Sequence, residues 1–159
     1  MHESVHAWVA GVVGIARLRD ASVLEVGSLD INGSVRDLFG GPYVGVDATP
    51  GPSVDRVMDA HRLAFPDGTF DAVICCEMVE HDAAFWLTLA EIGRVLRPDG
   101  ALILTTRGNG FPEHRYPYDY WRFMPDAAGL LARLAGCEPV SVTDDPQDPG
   151  VFVFARKVA

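Results

Sequence analysis

Apolar residues recur at helical spacing near the start of the chain. Val5, Trp8, Val9, Val12, Val13 and Ala16 form one stripe, which predicts an amphipathic helix over residues 4–18. The pattern then changes to short apolar runs, each closed by glycine, proline or an acid. Ser22–Val26 stops at Gly27, and Tyr43–Asp47 ends on an aspartate. Asp71–Cys76 and Ala101–Thr106 are nearly continuous, as strands buried on both faces of a parallel sheet are. Between those two, Phe85, Leu89, Ile92 and Leu96 line one face of a helix over about residues 82–97. Arg97-Pro98-Asp99-Gly100 ends it.

Other segments complete the plan. The loop Gly27–Gly33 leads into a short helix reaching Phe39, which Gly40-Gly41-Pro42 breaks. Val54–Met58 predicts a third strand, although only six residues separate it from Asp47. A parallel crossover normally takes a dozen or more, so the helix there is expected to shrink to a turn. Residues 107–124 read as a long loop rich in aromatic and charged residues. Pro125 starts a last helix that closes near Gly136, followed by two terminal strands, Glu138–Thr143 and Val151–Arg156. Strand–helix alternation with a terminal strand pair implies an α/β sandwich around a mostly parallel sheet. At 159 residues the chain fits one domain, residues 1–159.

Charge narrows the partners. Thirteen Lys and Arg against twenty-two Asp and Glu leave a formal charge of −9, and Lys157 is the only lysine. Such a surface repels phosphate backbones and anionic lipid, which argues against nucleic acid and membranes as partners. Cys75 and Cys76 are adjacent within an apolar run and Cys137 stands alone, so neither a disulfide framework nor a Cys-x-x-Cys metal or redox site is expected. No apolar stretch reaches the length of a membrane span. No basic segment precedes the run Ala7–Ala16, so a cytoplasmic location is expected.

Candidate chemistry converges on one edge. In an open α/β sheet, ligands bind at the carboxyl ends of the strands, where the strand order reverses. Val23-Leu24-Glu25-Val26-Gly27-Ser28 puts a glycine loop on the tip of the first strand, letting backbone approach a ligand closely. Gly45-Val46-Asp47 ends the second strand in a carboxylate able to accept from both hydroxyls of a ribose. Glu25 and Asp47 stand at the separation expected of a nucleoside-binding β-α-β unit. Asp59, in Met58-Asp59-Ala60-His61, is placed to accept from an adenine amino group.

These motifs resemble the class I S-adenosylmethionine-dependent methyltransferases over about residues 5–158. Val23–Gly27 is similar to their first motif and Tyr43–Asp47 to their second. Leu63–Ile74 resembles the approach to their fourth strand. Glu91–Leu104 is the most specific match, resembling the helix-turn-strand before the fifth. The resemblance implies a Rossmann-like doubly wound sheet of seven strands in the order 3-2-1-4-5-7-6, with an antiparallel seventh. It implies S-adenosylmethionine as cofactor, contacted by Glu25, Gly27, Ser28, Gly33, Asp47, Ala48, Asp59, Ala60, Cys76 and Glu77. One departure is visible: the family's Gly-x-Gly-x-Gly loop is replaced by Gly27-Ser28-Leu29-Asp30-Ile31-Asn32-Gly33, with Gly33 in the part of the last glycine.

The implied reaction is methyl transfer to a hydroxyl or other nucleophile of a small molecule. The cofactor's sulfonium methyl is intrinsically electrophilic, so the protein mainly binds and orients. His81 is the candidate general base, since imidazole titrates near neutrality. Glu77-x-x-Glu80-His81 with His114 is also similar to the magnesium site of small-RNA 2′-O-methyltransferases and some quinone-pathway O-methyltransferases. Two imidazoles are soft ligands for magnesium, many relatives carry the Glu-His pair without an ion, and no metal ligand is assigned. In the aromatic loop, Arg107 and Arg115 are candidates to face an anionic acceptor group. With no long insertion to cap the site, the acceptor is held by the N-terminal helix, the loop after the fourth strand and the aromatic loop, or by a second subunit. Three rivals remain: a nicotinamide-dependent oxidoreductase, disfavoured by the missing Gly-x-Gly-x-x-Gly; a methyltransferase-like binding module without catalysis; and a metal-assisted RNA 2′-O-methyltransferase, disfavoured by the acidic charge.

Overall fold

The protein is described here from a computed structural model covering residues 2–159. Ten elements follow in order: α1 (Glu3–Ile15), β1 (Val23–Val26), β2 (Tyr43–Asp47), β3 (Arg56–Val57), β4 (Phe70–Cys76), α2 (Phe85–Val95), β5 (Leu96–Arg107), α3 (Pro125–Leu134), β6 (Cys137–Asp144) and β7 (Gly150–Lys157). The strands form one sheet in the order β3-β2-β1-β4-β5-β7-β6. The first five run parallel, and β7 lies antiparallel to both β5 and β6. This is the expected α/β architecture and strand order.

Alternation along β4 sorts the core into two layers. Ala72, Ile74 and Cys76 face α1, whose Val5, Val9, Val12 and Val13 pack there with Ile103, Phe152 and Phe154. Val73 and Cys75 face the other way, against Leu89 and Ile92 of α2 and Leu131 of α3. All three cysteines are free and buried, and burial pushes each thiol upward.

The differences from the sequence reading are local. The helix expected after the Gly27–Gly33 loop is a single 3-10 turn, Arg36–Leu38. Short polar side chains take over the backbone there: Asp30 Oδ1 accepts from Gly33 N–H at 2.6 Å, and Ser34 Oγ from Arg36 N–H at 3.1 Å. The third strand contracts to Arg56–Val57, both exposed. Its short connection to β2 does hold no helix; Asp55 closes it, accepting from Gly45 N–H at 2.7 Å and pairing with Arg36 at 2.9 Å. Strand β5 begins earlier than expected because Leu96 pairs with Phe70 before the register shifts.

Helices α2 and α3 meet at Gly93, where an added Cβ would fall onto the carbonyl oxygen of Ala135. Gly11 of α1 has open space around its Cβ position. Helix propensity favours alanine over glycine by about 1 kcal/mol. Gly11→Ala is therefore expected to stabilise the protein by about 0.5–1 kcal/mol, whereas Gly93→Ala is expected to destabilise it by about 1–3 kcal/mol. Urea unfolding of the two variants checks the opposite signs.

Candidate functional site

Parallel register brings the carboxyl ends of β1, β2 and β4 to one edge, with Val26 opposite Val46 and Glu25 opposite Ile74. Strand order reverses between β1 and β4, where such sheets open a crevice. A cleft of about 580 Å³ lies there. Glu25, Gly27, Ser28, Gly33, Asp47, Ala48, Asp59, Ala60, Cys76, Glu77 and His81 all line it. Every residue expected to contact the cofactor, together with His81, is thus brought to one wall or another of the same cavity, whereas Glu80 and Arg107 are buried away from it.

The glycine loop is tied down rather than free. Gly27 has φ 81°, and a Cβ there would come within 2.6 Å of the Met78 side chain. The N–H groups of Gly27 and Ser28 donate to Val46 O at 2.9 and 3.0 Å. Because the following helix is a 3-10 turn, the unpaired N–H groups of a helix N-terminus are not what this loop offers. Instead it fixes Asp47: Leu29 N–H donates to Oδ2 at 3.3 Å and Thr49 N–H to Oδ1 at 2.9 Å. Each carboxylate oxygen keeps acceptor capacity toward the cleft. Asp59 is exposed, with Oδ1 accepting from His61 N–H at 2.9 Å.

Of two acids at this edge, Glu25 is buried and Glu77 half-buried. Glu25 is 3% exposed and accepts from Tyr43 Oη at 2.9 Å; burial pushes its carboxyl up to about 7. Glu77, in the left-handed region at φ 55°, accepts from Thr105 Oγ1 at 2.8 Å and pairs with Arg107. Burial and the neighbouring Glu80 carboxylate push its carboxyl up. Arg107 does not face an acceptor. It is fully buried, bonding Glu77 and Asp145, with Phe111 stacked 4.5 Å from its guanidinium carbon. Burial of Asp145 works against its charge, but hydrogen bonds from Gln147 N–H, Arg107 and Ser4 hold its carboxyl below the usual range. Arg115 reaches the cleft and pairs with Glu113 at 2.6 Å.

The aromatic loop splits into two parts. Trp121 and Phe123 pack on Phe85 of α2, at ring distances of 5.6 and 5.2 Å, and Trp121 Nε1 donates to Asp82 O at 2.9 Å. Residues His114 to Pro117 turn the other way and line the cleft. There His81 Nδ1 lies 2.6 Å from Tyr118 O. A carbonyl only accepts, so Nδ1 carries the hydrogen and Nε2 of the neutral ring holds a free lone pair. His81 and His114 meet edge to face at 4.7 Å. Burial, then the nearby His81, lowers the pKa of His114.

Sequence reasoning missed the His61–Asp82 pair. Its Nε2–Oδ1 distance is 2.8 Å, and Thr88 Oγ1 donates to the same carboxylate at 2.6 Å. Adjacency of Asp82 to His81 was the available signal, but their separate partners appear only in three dimensions. His2, ahead of α1, also reaches the cleft.

Comparison with known proteins shows the family and the fold. A family described as a methyltransferase domain matches residues 17–104, more than half of the chain. A demethylmenaquinone methyltransferase from Deinococcus radiodurans is 48% identical over 46 residues, which is 29% of this chain and 19% of that protein. The matched segment therefore spans about a fifth of that relative. The Burkholderia thailandensis 1,6-didemethyltoxoflavin-N1-methyltransferase, solved with 1,6-didemethyltoxoflavin and S-adenosylhomocysteine bound, superposes with a TM-score of 0.81 at 20% identity, over 99% of this chain and 80% of that one. A methyltransferase-like structure from Bacillus halodurans gives 0.73 at 17% identity, over 96% and 100%. At these identities the structural likeness concerns the fold. No helix among the described residues is long and apolar enough to cross a membrane.

The raised pKa of Glu25 has a signed consequence. The folded state holds a proton on Glu25 up to about pH 7, whereas an unfolded chain releases it near the ordinary value of 4.5. Stability is therefore expected to fall as pH rises between those two values, by at most about 3 kcal/mol from this group. Glu25→Gln keeps an acceptor for Tyr43 and removes the titration. Urea midpoints across that range should decline less in the variant than in the parent.

Proposed function

The chain belongs to the methyltransferase domain family, and from that premise we propose that it transfers a methyl group from S-adenosylmethionine to a small-molecule acceptor. The observation that carries the reading is the Asp47 carboxylate, held by two backbone N–H groups beside the Gly27 turn at the switch point of the sheet. A carboxylate fixed in this way suits a ribose diol, and the cleft has the volume of a small-ligand site. Ile31 and Met58 add apolar lining for a base or an alkyl chain. The donor set therefore fits the cofactor.

In this reading Asp47 accepts from the ribose hydroxyls, and Asp59 with Ala60 borders the adenine. Gly27, Ser28 and Gly33 bring backbone close to the amino-acid end, with Glu25, Ala48, Cys76 and Glu77 completing the wall. When bound, the cofactor supplies an electrophilic sulfonium methyl. The chain's own work is to align acceptor and methyl and to keep water from the line between them. His81, with Nδ1 committed to Tyr118, presents Nε2 to take a proton from an acceptor hydroxyl. An amine acceptor would need no such base.

A small molecule as acceptor is supported by the shape of the cleft, closed on one side by His114–Pro117. The similar Burkholderia structure holds 1,6-didemethyltoxoflavin. The net charge of −9 disfavours a nucleic acid substrate. Three free buried thiols suit a reducing cytoplasm.

Calorimetric titration of S-adenosylhomocysteine tests the cofactor assignment. Saturable binding at micromolar affinity is expected, with Asp47→Ala weakening it at least about tenfold, as loss of a charge-assisted hydrogen bond to a hydroxyl should. An unchanged affinity in the variant would move the ribose away from Asp47. Absence of heat and of any thermal shift in the parent protein would remove the cofactor from the cleft.

A further inference from the structure

One histidine of the cleft is held more firmly than a wall residue needs. His61, a few positions after β3, lines the cavity, and its Nε2 lies 2.8 Å from Asp82 Oδ1. Asp82 follows the 3-10 turn Val79–His81 and is buried. Its carboxylate has three partners: Ala84 N–H donates at 2.9 Å, Thr88 Oγ1 at 2.6 Å, and the imidazole supplies the third bond. Trp121 Nε1 donates to the backbone oxygen of the same residue at 2.9 Å. A carboxylate fixed in this way sets both the plane of the ring and its tautomer.

A carboxylate only accepts, so Nε2 carries the hydrogen and Nδ1 of the neutral ring presents a lone pair. Nδ1 lies 3.6 Å from Asp59 Oδ1, too far for a hydrogen bond between them. Asp59 is turned toward His61 by its own backbone contact, Oδ1 accepting from His61 N–H at 2.9 Å. The edge of the cleft after β3 therefore carries two acceptors side by side, an imidazole nitrogen and a carboxylate. Such a pair is matched by a group that offers two N–H bonds from one atom.

We propose that His61, set by Asp82, reads the exocyclic amine of the cofactor's base and makes the cleft selective for a 6-amino over a 6-oxo purine. The amine has two hydrogens, of which one goes to the Asp59 carboxylate and the other to His61 Nδ1. A 6-oxo purine puts an oxygen in the same place, so both protein groups lose a donor and face an acceptor instead. Asp82 is the positioning residue and acts through the imidazole, holding the hydrogen on Nε2 so that Nδ1 stays free. A pair that merely tied the segments after β3 and β4 together would not distinguish the two bases. The selectivity rests on the S-adenosylmethionine reading of the cleft.

Calorimetric titration of S-adenosylhomocysteine and of its 6-oxo analogue, S-inosylhomocysteine, tests this at about pH 8.5, well above the ordinary imidazole value. The parent protein is expected to bind the amino form at least about a hundredfold more tightly, because a site built around a donor rejects the analogue that lacks it. His61→Phe keeps a planar ring and removes the acceptor. It should cut the ratio at least about tenfold, through weaker binding of the amino form. Asp47→Ala, which acts on the ribose, should weaken both ligands alike. Nitrogen-15 NMR of the imidazoles gives an independent reading: His61 should be the Nε2–H tautomer, with an Nδ1 resonance that moves when the amino form binds. Asp82→Ala should release that tautomer and lower the ratio.

Equal loss of both ligands in His61→Phe, no loss of either, or a hydrogen on Nδ1 of the ligand-free parent would overturn the role of His61. Those readings stand even if Asp82→Ala does not fold. A parent that binds S-adenosylhomocysteine and its 6-oxo analogue equally well sinks the selectivity alone. A parent that binds neither sinks the cofactor assignment, and the selectivity with it.

Discussion

Arg107 has no access to solvent, yet its charge cannot be left unpaired in the interior. Breaking such a buried pair typically costs about 3–5 kcal/mol. The guanidinium therefore dictates what surrounds it. Glu77, at the end of β4, meets Nε, and Asp145, in the turn between β6 and β7, accepts from Nη1 at 2.8 Å. Ser4 of α1 donates to the same aspartate at 3.1 Å, and Phe111 covers the cation. One side chain thus ties together the first helix, the ends of two central strands, the terminal hairpin and the start of the aromatic loop.

That knot settles the geometry of the cleft. With Glu77 pulled toward Arg107, the chain after β4 turns through a left-handed residue into the Val79–His81 turn. The turn drives Glu80 inward beneath Thr106 and leaves His81 at the cavity wall. On the opposite side, Gly27 and Ser28 lock onto Val46, so the Asp47 carboxylate is held by loop and strand together. The site is built from strand ends and turns, with little help from helices. Its rigidity comes from hydrogen bonds that cross between neighbouring elements.

The reduced helices between β1 and β4 follow from composition. Residues 27–42 and 48–55 are dominated by Gly, Pro, Asp, Asn and Ser, which bond their own backbone or refuse helical angles. Family membership with so little helix on this half means the cleft is bounded by loops. The His114–Pro117 segment takes up part of the boundary, while Trp121 and Phe123 secure its far end on α2. The loop is both packing and wall, divided by residue.

Much of this was legible in the amino-acid order. The apolar runs of β4 and β5, the Phe85–Leu89–Ile92–Leu96 stripe and the Val23–Gly27 and Gly45–Asp47 endings determine an α/β sheet with a ligand edge, because burial periodicity and strand-end chemistry are local properties. The roles of individual charges were not legible. Arg107 read as a candidate acceptor contact and proved to be a buried cation. Glu77 and Glu80 read as one motif and point to different partners. His61 and Asp82 stand twenty-one positions apart and meet at 2.8 Å. The partners of a charge come from segments far apart in the chain, and the cost of burying it selects among them only when those segments pack. Local pattern therefore determined the scaffold and the edge where chemistry gathers; the tertiary structure decided which acid is paired with which partner and which imidazole faces the cleft.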